Sequence, residues 1–399
     1  MYIEREAITL KEAQQRLADL ELKKQRETIN VADSLGRVLA EDIFAPFHFP
    51  PFRRSGYDGY GIMAADDQDF PKEFEMVADI GAGDTFYQKL KSGQTVKIMT
   101  GAEVPDSVDK VIMLEQVKKL SEHRVKIEAT MKHSNITPVG EEFAKGDKLL
   151  GQGTVINSGV ISLLSAFGYA EVEVWQKPQV AILTTGSELL QPGELLVPGK
   201  IFNSNGPLIK ALVEENGGEV IYYGSLADHF DKIEEKLAEL TKRASLIITT
   251  GGVSVGDYDF MAVIAKKSDS FLFNKLAMRP GSPTTAFVKN QVPVLALSGN
   301  PGACFTGFFL LVEPLLQRFV DQQTKLKYKK LPLSHDYKKT NSFDRYLRGT
   351  LSKRGVSLVG SDKSSALGNL HQTECLFRIP HNQSVEAGTE VDVWQLPCK

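Results

Sequence analysis

The chain has 399 residues, 42% of them hydrophobic and 24% charged, with a formal net charge of -3. That length exceeds what a single core serves, so two to four domains are expected, and the ordinary composition excludes a disordered or fibrous chain. The near-neutral balance excludes a global electrostatic preference for nucleic acid or an anionic membrane, which leaves recognition to local sites.

The first stretch, MYIEREAITLKEAQQRL, carries charges where a signal peptide needs an apolar core. No uninterrupted apolar run is long enough to span a bilayer, so a cytoplasmic location is expected. Thr9 with Glu12 forms a capping box for a helix running to about Leu22, with Ala13, Leu17 and Leu20 as its apolar stripe. The Pro- and Phe-rich APFHFPPF forbids a helix and reads as an extended crossing between domains. Short β-runs from Phe70 to about Val139 then read as an inserted β module. Val155 to Phe167 has a helical pattern suited to packing with the first helix. After Lys177-Pro178, strands and helices alternate: strand Val180 to Thr184, helix Gly206 to Asn216, strand Glu219 to Tyr223 and helix Phe230 to Arg243. Strand Ser245 to Thr250, strand Val294 to Leu297 and helix Gly302 to Phe319 complete the run. Such alternation implies a three-layer, mostly parallel sheet. From about Lys325 the chain reverts to short strands. Its three cysteines, Cys304, Cys375 and Cys398, lack C-x-x-C spacing and read as reduced thiols.

The expected organisation is therefore a multidomain α/β protein. A mixed helical domain comprises residues 1–45 and 140–177, and an inserted β domain comprises 46–139. An α/β domain spans 178–325 and a C-terminal β domain spans 326–399.

Chemistry concentrates at five places. In VAILTTGSEL and IITTGGVSVGDYD an apolar strand runs into threonines and glycine and then a carboxylate: Thr185, Gly186, Ser187 and Glu188 in the first, Gly251, Gly252, Ser254, Asp257 and Asp259 in the second. Gly-Gly after a strand also marks a plain turn, but two such strand ends in one α/β unit point to a shared crevice, where open parallel sheets bind ligands. Neither segment is a G-x-G-x-x-G or P-loop motif. Asp58 stands among Gly56, Gly59 and Gly61, either as a rigidly held ligand-facing carboxylate or as an Asp-Gly turn. Lys275 and Arg279 precede the stiff turn Pro280-Gly281-Ser282-Pro283 and suit an oxyanion or phosphate. Gly299, Asn300 and Pro301 open a helix after a strand, the geometry of an anion site. Carboxylates beside glycine turns and cations fit a Mg²⁺-assisted reaction on a phosphorylated ligand, and the absence of a His- or Cys-rich set argues against zinc.

At these residues the chain resembles the MoeA family of molybdopterin molybdenumtransferases, related to the gephyrin E domain. PPFRRSGYDGYG, IMTGAEVPDSVDKVIMLEQ, GEEFAKGD, TTGSEL, NSN, TTGGVSVGDYD, KLAMRPGSP and LSGNPGA follow in the family's order, and the match covers nearly all of the 399 residues. The resemblance implies that the α/β domain binds molybdopterin and that molybdate is inserted into adenylylated molybdopterin with release of AMP, assisted by Mg²⁺ or a similar divalent ion. It assigns catalysis to Asp58, Glu188, Asp228 and Asp259, metal binding to Glu188 and Asp259, and substrate contact to Thr100, Pro280, Ser282 and Arg348 besides the glycine turns and cations. It further implies a homodimer and a molybdopterin adenylyltransferase as partner. Departures from the family pattern are Glu142 for Asp, Arg279 and Ser282 where many members have lysine, and Leu367-Gly368-Asn369-Leu370 for S-S-L. A tungstate-preferring relative and a non-catalytic pterin carrier or scaffold are the alternatives it leaves open.

Overall fold

The computed structural model describes residues 5–253 and 260–397. Internal contacts divide the chain into two units, Ile29–Leu35 with Leu39–Val172, and the remainder.

Helix α1, Leu10–Ala18, begins as its sequence dictates. Thr9 Oγ1 accepts from Glu12 N at 3.1 Å while Glu12 Oε2 accepts from Thr9 N at 2.7 Å. It ends earlier than the apolar stripe predicts, because the Arg318 guanidinium donates to the carbonyls of Leu17 and Leu20 and satisfies the helix end there. Its buried residues Leu10, Ala13 and Leu17 join the core of the α/β segment, correcting the expected pairing with the Val155–Phe167 helix.

The unit built mainly from residues 39–172 centres on a six-stranded sheet. Its strands are β1 Gly59–Ile62, β2 Lys72–Ile80, β3 Gln94–Ile98, β4 Lys110–Met113, β5 Val117–Lys119 and β6 Arg124–Ile127, in spatial order β4-β1-β3-β2-β6-β5. All four residues of β1 are buried, and apolar residues on the sheet form two clusters, one around Val96 and Ile98, the other around Phe74 and Ile112. The aromatic stretch that precedes it is used as packing: the rings of Phe47 and Phe49 lie 5.3 and 5.4 Å from that of Phe167, which follows helix α2, Ser158–Ala166.

The other unit contains a six-stranded mixed sheet. Strands β7 Gln179–Thr185, β8 Glu219–Leu226, β9 Leu246–Thr250, β10 Ser270–Phe273, β11 Thr285–Lys289 and β12 Val292–Leu297 lie in the order β8-β7-β9-β12-β11-β10. The first four of that order are parallel, and β11 and β10 extend the edge antiparallel. Sequence alternation missed the two antiparallel strands. Val180 and Ile182 face a core shared with helix α3, Asn205–Glu215, whereas Ala181 and Leu183 face one shared with helix α4, Phe230–Leu240, and helix α5, Phe260–Lys266. Burial on both faces is what makes the strand a continuous apolar run and the unit three-layered.

The helix expected over 302–319 is interrupted. Helix α6, Pro301–Gly307, passes through a π-helical segment, Phe308–Val312, into helix α7, Glu313–Phe319. Pro314 has no N–H for the Leu310 carbonyl one turn back, and that carbonyl instead accepts from Gln14 Nε2 of α1 at 2.9 Å. Next to the break Glu313 is fully buried, accepting from Thr324 Oγ1 and from Lys325 N, and burial pushes its carboxyl above the usual range. A final sheet consists of β13 Lys327–Pro332, β14 Asp344–Ser352, β15 Gly355–Leu358, β16 Cys375–Ile379 and β17 Glu390–Gln395. The two-residue strand Met278–Arg279 pairs with β14 and so ties the α/β segment to it.

If Gln14 replaces the hydrogen bond that Pro314 cannot make, Gln14→Ala lowers stability by about 1 kcal/mol in urea denaturation. An unchanged midpoint would show that solvent satisfies Leu310 equally well.

Candidate functional site

Asp58 enters β1 and is not the hairpin turn that Asp-Gly permits. Gly59 pairs with Ile98 of β3 on one side and Met113 of β4 on the other, and a Cβ there would lie 2.1 Å from the Ile112 carbonyl oxygen. Only glycine fits, so the carboxylate is fixed immediately before a central strand. Its backbone carbonyl accepts from Leu114 N, and its Oδ1 accepts both the N–H and the hydroxyl of Thr100, at 2.6 and 2.7 Å. These donors, the backbone one foremost, hold the partly exposed Asp58 carboxyl below the usual aspartate range. Tyr57, which precedes Asp58, and Met99, which precedes Thr100, are both exposed. This brings together Asp58 and Thr100, two residues the sequence placed in separate motifs.

In the other unit, the loops leaving adjacent parallel strands meet at their carboxyl ends. Gly251 has φ +95° and lies against β7 so closely that a Cβ would be 2.1 Å from the Thr185 carbonyl oxygen. Gly252 faces the Thr185 hydroxyl, which is buried and has no hydrogen-bond partner among the described residues. The position a Gly299 Cβ would take is 3.7 Å from Gly251 Cα, so the turn before α6, with Asn300 and Pro301, reaches the same place. Gly186 N donates to Leu226 O, Ser187 N donates to Asp228 Oδ2 at 3.2 Å, and Glu188 is exposed with its carboxylate beside Gly186. Thr185, Gly186, Ser187, Glu188, Asp228, Gly251, Gly252, Gly299, Asn300 and Pro301 therefore share one rim. Ser254, Asp257 and Asp259 lie outside the described residues.

The cationic loop is held from both sides. Ile8 N donates to Lys275 O and Ala277 N to Ile8 O, while Leu276 N donates to Ser282 O and Ser282 Oγ to Leu276 O, both at 2.8 Å. Ser282 thus closes the loop with its hydroxyl. Arg279 is exposed, Lys275 half-buried, and Pro280 buried behind a cis peptide. Arg348 is placed differently from the ligand-facing cation that the resemblance implies. It is 2% exposed, and its guanidinium donates to Asn369 Oδ1 and to the carbonyls of Gly302, Ser361 and Lys363, bracing the start of α6 against the C-terminal sheet. Among the described residues, no group of three or more His, Cys, Asp or Glu side chains is arranged to hold a metal ion, and no helix is long and apolar enough to cross a membrane. Asn203 and Asn205 of the NSN segment are buried beneath this rim; paired amides at a helix start are the sequence signal for such residues.

Residues 8–168 match the MoeA N-terminal region (domain I and II), residues 181–318 a probable molybdopterin binding domain, and residues 330–396 the MoeA C-terminal region (domain IV). The chain is 40% identical over 401 residues to a molybdopterin molybdenumtransferase of Staphylococcus epidermidis, covering 98% of this chain and 96% of that one. It is 39% identical over 400 residues to one from Staphylococcus aureus, with the same coverage. A crystal structure of the molybdopterin biosynthesis MoeA protein from Pyrococcus horikosii superposes with a TM-score of 0.87 at 28% identity, covering 98% of this chain and 99% of that one.

Two outcomes test this geometry. Thr100→Val removes one of the two donors, so the Asp58 carboxyl titrates closer to the ordinary range in an NMR pH series; an unmoved titration contradicts the hydroxyl's role. Gly251→Ala combines a backbone clash with a left-handed φ and destabilises by at least about 2 kcal/mol in chemical denaturation.

Proposed function

The chain belongs to the molybdopterin molybdenumtransferase family, and from that premise we propose that it inserts molybdate into adenylylated molybdopterin and releases AMP. The observation that carries this is the convergence of the Gly186, Gly251 and Gly299 turns at the ends of neighbouring parallel strands, where a phosphorylated pterin can meet backbone without side-chain obstruction. Arg279, exposed on a loop fixed by backbone bonds on both sides, is suited to draw in oxyanions such as molybdate.

Asp58 is assigned a charge-positioning role. A carboxyl held below its ordinary range is a weak proton acceptor near neutral pH, so Asp58 orients a cation or a water and leaves proton abstraction to another group. Glu188, an exposed hard-oxygen donor next to the Ser187–Asp228 contact, fits a divalent ion such as Mg²⁺, which binds through one or two carboxylates together with phosphate and water. When bound, that ion neutralises charge on the phosphate oxygens. Asp228 accepts from Ser187 N and so fixes the loop that carries Glu188. Family membership supports the further reading of a cytoplasmic homodimer supplied by a molybdopterin adenylyltransferase.

The test is AMP release from adenylylated molybdopterin by the purified protein with Mg²⁺, with molybdate or tungstate added. Release stimulated by molybdate, and reduced about 10²-fold in a folded Asp58→Asn variant, is the expected result. Tight pterin binding without release under either oxyanion identifies a carrier and overturns the proposal, and stimulation by tungstate alone replaces molybdate with tungstate as substrate.

A further inference from the structure

The NSN segment lies directly under the four parallel strand ends. Asn203, 2% exposed, donates from Nδ2 to Thr184 Oγ1 at 3.0 Å and to Ser225 Oγ at 3.2 Å, and its Oδ1 accepts from Gly206 N at 3.0 Å. It therefore ties β7 to β8. Asn205, 8% exposed and the first residue of α3, donates from Nδ2 to Thr250 Oγ1 at 2.9 Å and to the Gly299 carbonyl at 2.8 Å. Thr250 in turn donates its hydroxyl to the Ser298 carbonyl at 3.2 Å. Asn205 thus ties the end of β9 to the turn that follows β12.

We infer that Asn205 is a positioning residue for the AMP-releasing reaction, acting through Thr250 and Gly299 to hold the Gly251-Gly252 turn and the Ser298–Asn300 turn at one fixed spacing. The inference rests on the function proposed above, but its physical content is separate from it. With the Thr250 proton committed to Ser298, its oxygen accepts from the Asn205 amide and, more weakly, from the Cys304 thiol at 3.8 Å, while the Gly299 carbonyl accepts from the same Asn205 nitrogen. An amide NH₂ supplies two donors from one atom; a carboxylate supplies none, and a hydroxyl supplies one. Asn205 hydrogen-bonds both to Thr250, which leads into the Gly251-Gly252 turn, and to Gly299 in the middle of the other turn. The β7 side of the rim does not depend on it, because Gly251 packs against Thr185 by backbone contact.

The experiment compares Asn205→Ala, Thr250→Val, their double variant and Thr250→Ser. Displacing reacting groups by about 1 Å costs on the order of 10²-fold in rate, so Asn205→Ala is expected to lower kcat by about that factor while its affinity for molybdopterin stays within about threefold. Because the two residues act on the same turns, the double variant falls well short of the product of the single losses, and Thr250→Ser retains what Thr250→Val loses. Additive losses, or a kcat loss that follows a lowered melting temperature, overturn the inference. Amide hydrogen exchange over residues 250–252 and 298–300 tests the coupling without any turnover: both stretches speed up together in Asn205→Ala. If the wild-type protein releases no AMP, the proposed reaction fails while this readout still decides the coupling, and acceleration of one stretch alone, or of neither, refutes it.

Discussion

The approach of Gly251 to the Thr185 carbonyl is the constraint on which the candidate site rests. Adjacent strands lie less than 5 Å apart in the hydrogen-bonding direction, so two loops leaving their carboxyl ends compete for one small volume. With a side chain at Gly251 the loops would diverge. Without one, the turn before α6 also reaches this volume, and the asparagines at the start of α3 can bridge beneath. The apolar strands supply the platform, since β7, β9 and β12 are buried almost end to end and cannot shift without opening both cores.

Two carboxyl groups show how opposite environments sort acidic residues into different uses. Asp58 is near solvent and receives two donors from Thr100, so its charged form is favoured. Glu313 is fully buried, and although Thr324 and Lys325 donate to it, desolvation outweighs them. Ionised, Glu313 weakens the fold; its favourable contribution is present below the ordinary glutamate range and is lost as pH rises through its raised value. Both carboxylates anchor a neighbouring segment through its backbone, yet only Asp58 keeps its charge available at the surface.

Much of this was legible in the sequence where one interaction dominates. The capping box placed the start of α1, and the unbroken apolar runs placed β7, β9 and β12, because a strand buried on both faces has no other composition. Strands β10 and β11 were not legible: they lie at the sheet edge, where burial is less complete and no unbroken apolar run marks them. Helix 302–319 looked continuous because periodicity does not register the π-helical segment that Pro314 accompanies. For the site, the glycine turns and the Asp58 segment could be named from residue type alone. Partner-dependent facts could not. Ser282 and Arg348 were read as possible ligand contacts, but Ser282 closes its own loop and Arg348 is enclosed by four acceptors. The bridging role of Asn205 was not legible because its partners, Thr250 and Gly299, are distant from it in sequence.

The position of α1 has a consequence for how the chain is made. Its apolar stripe is synthesised before the residues that cover it, from Leu272 to Leu316, which emerge only after the whole intervening sheet unit. At about 5–20 residues per second that is a delay of roughly 15–60 s on the ribosome. During that interval Leu10, Ala13 and Leu17 have no native partner, and α1 is too short to persist alone. The apolar face of α1 therefore stays uncovered until the strands and helices that bury it have been made, so this segment reaches its native environment late.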